Sequence, residues 1–303
     1  MPFIVTMVCL TVAVRPALNK ADYAFVVKVY LSCRFIRNGR YVVDVINIIK
    51  GPIEYLGELY FLFQDVIVSL IKGKFRWNLL VEQIAEIGFR SQPVVIITGA
   101  FTGAVLAAQS LFQFKLVNME TAGGGLVSAS MFRELGPTIT ALMLAGRVGS
   151  SMAAEIGTMK VSEQIDALRS MSVHPIDYLV TPRVVAIIIS IPILVAASCG
   201  FAILASYVVG VHLFKIPSVY WNYHVSYFTG IDEIIIAMTK GLAFGLLIVL
   251  ISCHQGLKAT NGAVGVGRGT TKAMVYSSLA ILIVNFFLSL LMQRIFPAGF
   301  IDT

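Results

Sequence analysis

Charge is scarce in this sequence: Asp, Glu, Lys and Arg supply 13% of its 303 residues, against a hydrophobic share of 57%. Ordinary soluble domains carry about 25% charged residues, so too little charge is present to solvate the surface of such a domain. With a mean hydropathy of +0.85, the chain is placed in a bilayer. Cysteine is sparse as well. Cys9, Cys33, Cys199 and Cys253 show no paired spacing, and His174, His212, His224 and His254 form no H-x-x-x-H pattern, so no metal site is expected. A phosphate loop is lacking too. Asn261–Lys272, NGAVGVGRGTTK, has the glycine density of one, but Arg268 follows Gly267 where G-x-x-x-x-G-K-[ST] requires Lys. That stretch reads as a flexible turn, with Thr270 or Thr271 capping the helix after it. No cofactor is expected on this chain, and any ATP it uses is bound by another.

What is abundant is long apolar runs. Residues 91–114, 184–211 and 273–293 each approach the roughly 20 apolar residues that cross about 30 Å of hydrocarbon as a helix, and 234–253 joins them if Lys240 is tolerated. A further run, about 126–153, is rich in small residues but carries Arg133, Glu134 and Arg147. The expected fold is therefore an all-α integral membrane protein of about five transmembrane helices. Lys and Arg cluster before the first run (Lys50, Lys72, Lys74, Arg76, Arg90), after the second (Lys160, Arg169, Arg183) and after the fourth (Lys258, Arg268, Lys272); Lys115 and Lys215 are the main exceptions. By the positive-inside rule these clusters are cytoplasmic, which puts the amino terminus inside and the carboxyl terminus outside. The net charge of +7 is a topology signal, and nucleic acid is not an expected partner.

Three regions follow. Residues 1–40 form a tail: MPFIVTMVCLTVAV has the look of a short signal-peptide core, but no basic residue precedes it and Arg15-Pro16 stands where a cleavage site belongs. Residues 41–90 are an interfacial amphipathic region, in which Ile53, Leu56, Leu59, Tyr60, Phe63, Val66, Ile67 and Leu70 recur at helical spacing while Glu54, Glu58 and Asp65 interrupt the apolar surface. Residues 91–303 are the membrane domain. Within it Gly99/Gly103, Ala145/Gly149 and Gly241/Gly245 have the small-xxx-small spacing that lets helices approach closely, and Pro192 with Gly200 allows a kink.

One charged stretch interrupts the membrane domain. From Ala154 to Met171 the apolar Val161, Ile165 and Leu168 share a helical face, Ile156 and Met159 lie about a turn earlier, and Asp166 and Arg169 are spaced to pair. The segment is too short and too charged to span, and Pro175 and Pro182 end it. It is either an amphipathic connector at the cytoplasmic face or a surface offered to a soluble partner. Arg133, Glu134 and Lys240 pose a second question, because an unpaired charge near the bilayer centre costs roughly 2.5–3.5 kcal/mol. They are expected to pair, whether as packing or along a path for polar groups.

The stretch RELGPTITALMLAGRVGSSMAAEIGTMKVSEQIDAL, then HPIDYLVTPR, then NGAVGVGRGTTKAMVYSSLAIL, closely resembles the MlaE family of ABC-transporter permeases, with the likeness running from roughly Leu79 to Met292. The resemblance implies a homodimeric permease in the bacterial inner membrane, with an interfacial amino-terminal helix and five spans. It implies phospholipid or related lipid as cargo and no catalytic motif of its own. Its partners would be a cytoplasmic ABC ATPase, a periplasmic MCE-domain protein and, optionally, a STAS-domain regulatory subunit. By the same resemblance Glu155, Ile156, Gly157, Met159, Lys160, Glu163, Gln164 and Asp166 form the coupling helix that docks on the ATPase, and Arg133, Glu134, Lys240 and Asn285 form the intramembrane polar cluster. Similar permeases place an acid where this chain has Asn285, which leaves the cluster one negative charge short. Two other classes compete with this one. A self-sufficient secondary transporter of an amphiphilic or anionic solute fits the intramembrane charges but lacks the internal repeat many such carriers show. A lipid-modifying membrane enzyme would rest on His174 and Asp177 alone.

Overall fold

The computed structural model describes residues 40–71, 77–117, 119 and 122–295; the expected amino-terminal tail and the basic residues Lys72, Lys74 and Arg76 lie outside the described residues. The chain divides into two compact units, Met1–Glu58 and Leu59–Thr303. Among the described residues the secondary structure is helical throughout. The elements are α1 (Arg40–Ile71), α2 (Trp77–Ile87), α3 (Gln92–Leu116), α4 (Gly123–Ser130), α5 (Gly136–Leu144), α6 (Ser150–Val161), α7 (Gln164–Ser170), α8 (Thr181–Tyr207), α9 (Ser218–Phe228), α10 (Ile231–Leu257) and α11 (Gly262–Ile295). Wide π turns at Met131–Leu135 and Ala145–Gly149 join α4, α5 and α6 into one unbroken rod over residues 123–161.

Among the described residues four helical stretches are long and apolar enough to cross a membrane: Trp77–Leu116, Ile176–Leu213, Ile231–Leu257 and Gly262–Ile295. The run expected at 126–153 lies inside the rod, whose length of roughly 58 Å at 1.5 Å per residue is ample. Its Arg133, Glu134, Arg147, Glu155 and Lys160 keep it out of the apolar set. By length and apolarity the described residues therefore hold four spans where about five were expected.

Local chemistry explains where the helices begin. Pro93 stands in the first turn of α3, where a missing N–H costs nothing. Asp232 and Glu233 open α10 after the extended Gly230, placing negative charge at the positive end of the helix dipole. Helix α8 runs unbroken through Pro192.

Small residues then let the rods come together. Helix α8 lies along α3, where a Cβ at Gly103 would sit 2.3 Å from the Ala202 carbonyl oxygen and one at Gly99 would sit 2.7 Å from that of Ser198. Gly245 makes the same allowance on α10, since a Cβ there would meet Ile191 at 2.2 Å. The rod's last section, α6, packs against both α10 and α11. Around these contacts Leu144, Ile156, Ile187, Ile191, Phe244 and Ile248 are sealed from outside. In α1 the buried side is Leu62, Val66 and Ser69, whereas Leu56, Tyr60 and Ile67 of the expected stripe are exposed. The Thr181 hydroxyl donates to the Ser69 hydroxyl at 2.9 Å, linking α1 to the start of α8.

Two local expectations are corrected. The glycine-rich stretch after Asn261 is helix from Gly262 onward, because Gly269, Ala273, Ser277 and Ile281 recur every fourth residue and are buried as one stripe. Thr270 and Thr271 therefore cap nothing, and their hydroxyls donate to the Gly267 carbonyl at 2.7 and 3.1 Å within the helix. The charged segment 154–171 is likewise not one helix. It breaks after Val161, where Glu163 takes a left-handed φ of 60°, so Val161 is exposed while Ile165 is buried.

The α3–α8 contact generates a paired prediction. Gly103→Ala places a methyl group against backbone that cannot swing away and should cost about 1–3 kcal/mol, as overpacking does. Gly200→Ala on α8 meets nothing within 4 Å and should leave stability unchanged or slightly raised. Thermal unfolding of the two detergent-solubilised variants reads the difference directly.

Candidate functional site

The polar centre of the molecule starts from a proline. Pro137 has no N–H, so the carbonyl four residues earlier, that of Arg133, loses its helical partner. The chain widens into the π turn Met131–Leu135, closed by the Gly136 N–H donating to the Met131 carbonyl. Gly136 is needed there, since a Cβ would lie 2.3 Å from Cys199 Sγ. Lys240 reaches across from α10 and its Nζ donates to the orphaned Arg133 carbonyl at 2.6 Å.

That ammonium has two more protons, and both are used. Nζ donates to Glu134 Oε1 at 2.8 Å and to Ser289 Oγ of α11 at 2.8 Å. Lys240 is 1% exposed yet fully satisfied, the condition under which a buried cation is tolerated. Glu134 Oε2 accepts from Asn285 Nδ2 at 3.1 Å, and Ser289 Oγ in turn donates to the Asn285 carbonyl at 2.8 Å. Arg133 turns the other way. Its Nε and Nη2 fork onto Glu233 at 2.6–3.0 Å, the bidentate geometry in which a guanidinium binds a carboxylate most strongly.

The four expected residues are thus brought together, and two more join them. Glu233 supplies the second negative charge, so two cations face two anions even with Asn285 in place of an acid. A signal for it was present: Glu233 lies seven residues, two helical turns, before Lys240 and so shares its face. Ser289 stands one turn after Asn285 by the same logic. Beside the cluster opens a cavity of about 290 Å³, bordered by Arg133, Glu134, Lys240 and Ser289 with the apolar Ile236 and Met292. The Glu134 side chain, 43% exposed, faces outward while Lys240 is sealed.

The other end of the rod carries the charged elbow. Ile156 and Gly157 are buried within the chain's own packing, with Gly157 against Ala259 and Val266 and Ile156 against Gly256. Met159 and Lys160 are half-buried. Glu155 pairs with the buried Arg183 at 2.8 Å, and Arg183 also donates to the Leu179 carbonyl, which ties the rod to the start of α8. Across the elbow, Lys160 and Arg169 both clasp Asp166, at 3.0 and 3.1 Å. The hydrogen bond from Lys160, helped by the charges of Lys160 and Arg169, holds the Asp166 carboxyl below the ordinary aspartate range. A depressed carboxyl contributes its stabilisation above the ordinary value and loses it as pH falls through the lowered one. Glu163 and Gln164 remain exposed at the outer corner. Beneath lies a cavity of about 240 Å³ between Lys160, Ile165, Arg169, His174, Ile176 and Leu257.

Long apolar helices around an internally neutralised charge cluster define a multi-pass helical membrane protein. Comparison with known proteins makes this specific. The family described as Permease MlaE matches residues 80–291. A probable ABC transporter permease protein of Rickettsia typhi is 41% identical over 78% of this chain and 92% of its own length. One from a Synechocystis strain is 42% identical over 77% and 89%. The chloroplastic protein trigalactosyldiacylglycerol 1 of Arabidopsis thaliana is 38% identical over 74% of this chain and 64% of its own. The chain belongs to the MlaE permease family, and it is an ABC transporter permease.

Lys240→Met tests the cluster. It strands Glu134 and the Arg133 carbonyl together and should cost about 3 kcal/mol, the low end for a broken buried pair because Glu134 opens to the cavity. Adding Glu134→Gln should recover part of the loss, and Lys240→Arg should cost less than Lys240→Met. Melting temperatures of the purified variants, compared as a double-mutant cycle, give the coupling.

Proposed function

We propose that this chain is the membrane subunit of a transporter that moves phospholipids or related lipids, driven by ATP hydrolysis in a separate ATPase. The observation that carries the proposal is the rod over residues 123–161. One continuous helix holds the ion-paired cluster and its cavity near one end and the charged elbow at the other, with Glu134 and Lys160 roughly 39 Å apart along its axis. That length matches a bilayer with its headgroup layers, about 40–45 Å, so the rod is read as a fifth span whose charges are sheltered by neighbours. A push at the elbow is carried to the cavity without an intervening loop.

The cavity suits an amphiphile. Ion-paired groups that face an opening can exchange partners with the phosphate or amine of a headgroup, while Ile236 and Met292 meet acyl carbon. The Arabidopsis relative carries the name of a galactolipid, which supports lipid as the cargo class. At the elbow, Glu163 and Gln164 are free to meet the ATPase, whereas Glu155 and Asp166 are engaged within the chain and shape the surface instead. The remaining parts follow the same reading. Helix α1 lies in the cytoplasmic interface, residues 91–303 form the permease domain, and the inner membrane is crossed with the amino terminus inside. Two copies pair, and a periplasmic MCE-domain protein and a STAS-domain subunit complete the assembly. The exposed apolar side of α11, including Leu282, Phe286 and Leu290, faces lipid or the second copy.

Glu163→Lys tests the coupling. It changes charge at an exposed corner with no partner to strand, so membrane abundance should hold while ATPase capture and lipid-stimulated hydrolysis in proteoliposomes fall. Undiminished capture and hydrolysis would remove this corner from the docking surface.

A further inference from the structure

Helix α9, SVYWNYHVSYF, contains no Asp, Glu, Lys or Arg and sits between two stretches able to span the membrane, Ile176–Leu213 and Ile231–Leu257. It is pinned from below. The Trp221 ring is fully buried, lodged where a Cβ on Gly124 or Gly210 would come within 3.1 and 2.5 Å of it, and Phe228 occupies the space a Cβ on Gly125 would need. The glycines of α4 are thus the floor of this helix. With its rotation fixed, the exposed positions divide at about 100° per residue into two further sectors, while His224 and Val225 are half-buried beside Trp221. Tyr220, Tyr223 and Tyr227, at i, i+3 and i+7, fall within an arc of roughly 60°. They are 56%, 63% and 68% exposed, with Tyr223 and Tyr227 stacked. Asn222 and Ser226 fall on the opposite flank, both exposed, the Ser226 hydroxyl donating to the Asn222 carbonyl. Val219 lies between the two flanks.

A helix with one buried side, one phenolic flank and one small polar flank is partitioned for three environments. Tyrosine combines an apolar ring with a polar tip and is enriched where hydrocarbon gives way to headgroups. The charges nearby agree. Lys115 and Lys215 are the main exceptions to the segregation of basic residues, and the structure brings their neighbourhoods together: the Phe112 and Phe214 rings meet edge to face at 5.1 Å, with Lys115 one turn beyond Phe112 and Lys215 next to Phe214. Both lysines are exposed. Their long stems can lie along apolar surface while the ammonium groups reach phosphate.

We propose that α9 is a membrane-surface helix that lays Tyr220, Tyr223 and Tyr227 into the headgroup layer of the bilayer, turns Asn222 and Ser226 to water, and is held there by Lys115 and Lys215 on lipid phosphates. Its partner is the lipid surface at the end of the bundle opposite the elbow. The proposal rests on the membrane spans and is independent of the ATPase and of the cargo.

The test uses the full chain in vesicles of phosphatidylcholine and phosphatidylglycerol. Trp77→Phe removes the exposed native indole and leaves the buried Trp221 as a constant background. In that protein Tyr223→Trp and Ser226→Trp are compared. Tyr223→Trp emission should be lost to phosphatidylcholine brominated high on its acyl chains and be little affected by acrylamide; Ser226→Trp should respond in the reverse order. The proposal is overturned if both positions respond alike. It is also overturned if acrylamide quenches Tyr223→Trp, which would give the tyrosine flank to water or to a soluble partner. Shielding of Tyr223→Trp from both quenchers would overturn it too, by assigning that flank to a second copy or another chain.

Discussion

A lysine ammonium with neither water nor lipid to solvate it has to spend each of its three protons on the protein, and Lys240 does so on three separate acceptors. Those acceptors belong to the π turn of the rod and to α11, while the lysine itself belongs to α10, so one buried charge fixes the relative depth and rotation of three helices. The proline that strands the Arg133 carbonyl and the lysine that takes it up are parts of one device. Removing the charge without its partners would leave polar groups stranded in the protein interior, a larger penalty than the same loss at a wet surface.

Around that fixed point the helices are also held by close backbone contact. Apolar side chains gain little by leaving lipid for protein, so association depends on how closely backbones approach. Gly99 and Gly103 bring α3 to α8, and Gly241 and Gly245 bring α10 to the same helix through Val195 and Ile191. Helix α8 is therefore central to the packing, with α3 along one side and α10 along another. Arg183 at its start extends the connection to Glu155 on the rod, so the elbow and the core are linked by an ion pair as well as by packing.

The rod gives these parts a common axis. Its two π turns fall at the sites of Arg133 and Arg147, where the widened backbone turns a charged side chain toward neighbouring helices: Arg133 meets Glu233, and Arg147 donates to the Ser91 hydroxyl. A polar helix is stable in this position because each charge described on it answers to a partner on another element. At the far end, ion pairs from Lys160 and Arg169 to Asp166 join the two arms of the elbow.

The class of protein, its helical fold, the apolar stretches and the family were all legible in the residues, since hydrophobic length and motif order are properties of contiguous chain. The grouping of Arg133, Glu134 and Lys240 was legible through the cost of leaving such residues unpaired, and Asn285 joined them only through the family resemblance. The pairing itself was not. Arg133 and Glu233 are separated by 100 residues, and the shared helical face of Glu233 and Lys240 does not single out Arg133 as the partner. Periodicity likewise carried one helix through Glu163, and glycine density suggested a turn through Gly265, because neither pattern contains what the residues pack against. Composition determined that this chain belongs in a bilayer, and the apolar runs determined which stretches are long enough to cross it. The tertiary structure decided which charges neutralise each other, where the central helix bends and which face of α9 is open, because each depends on side chains meeting across helices far apart in sequence.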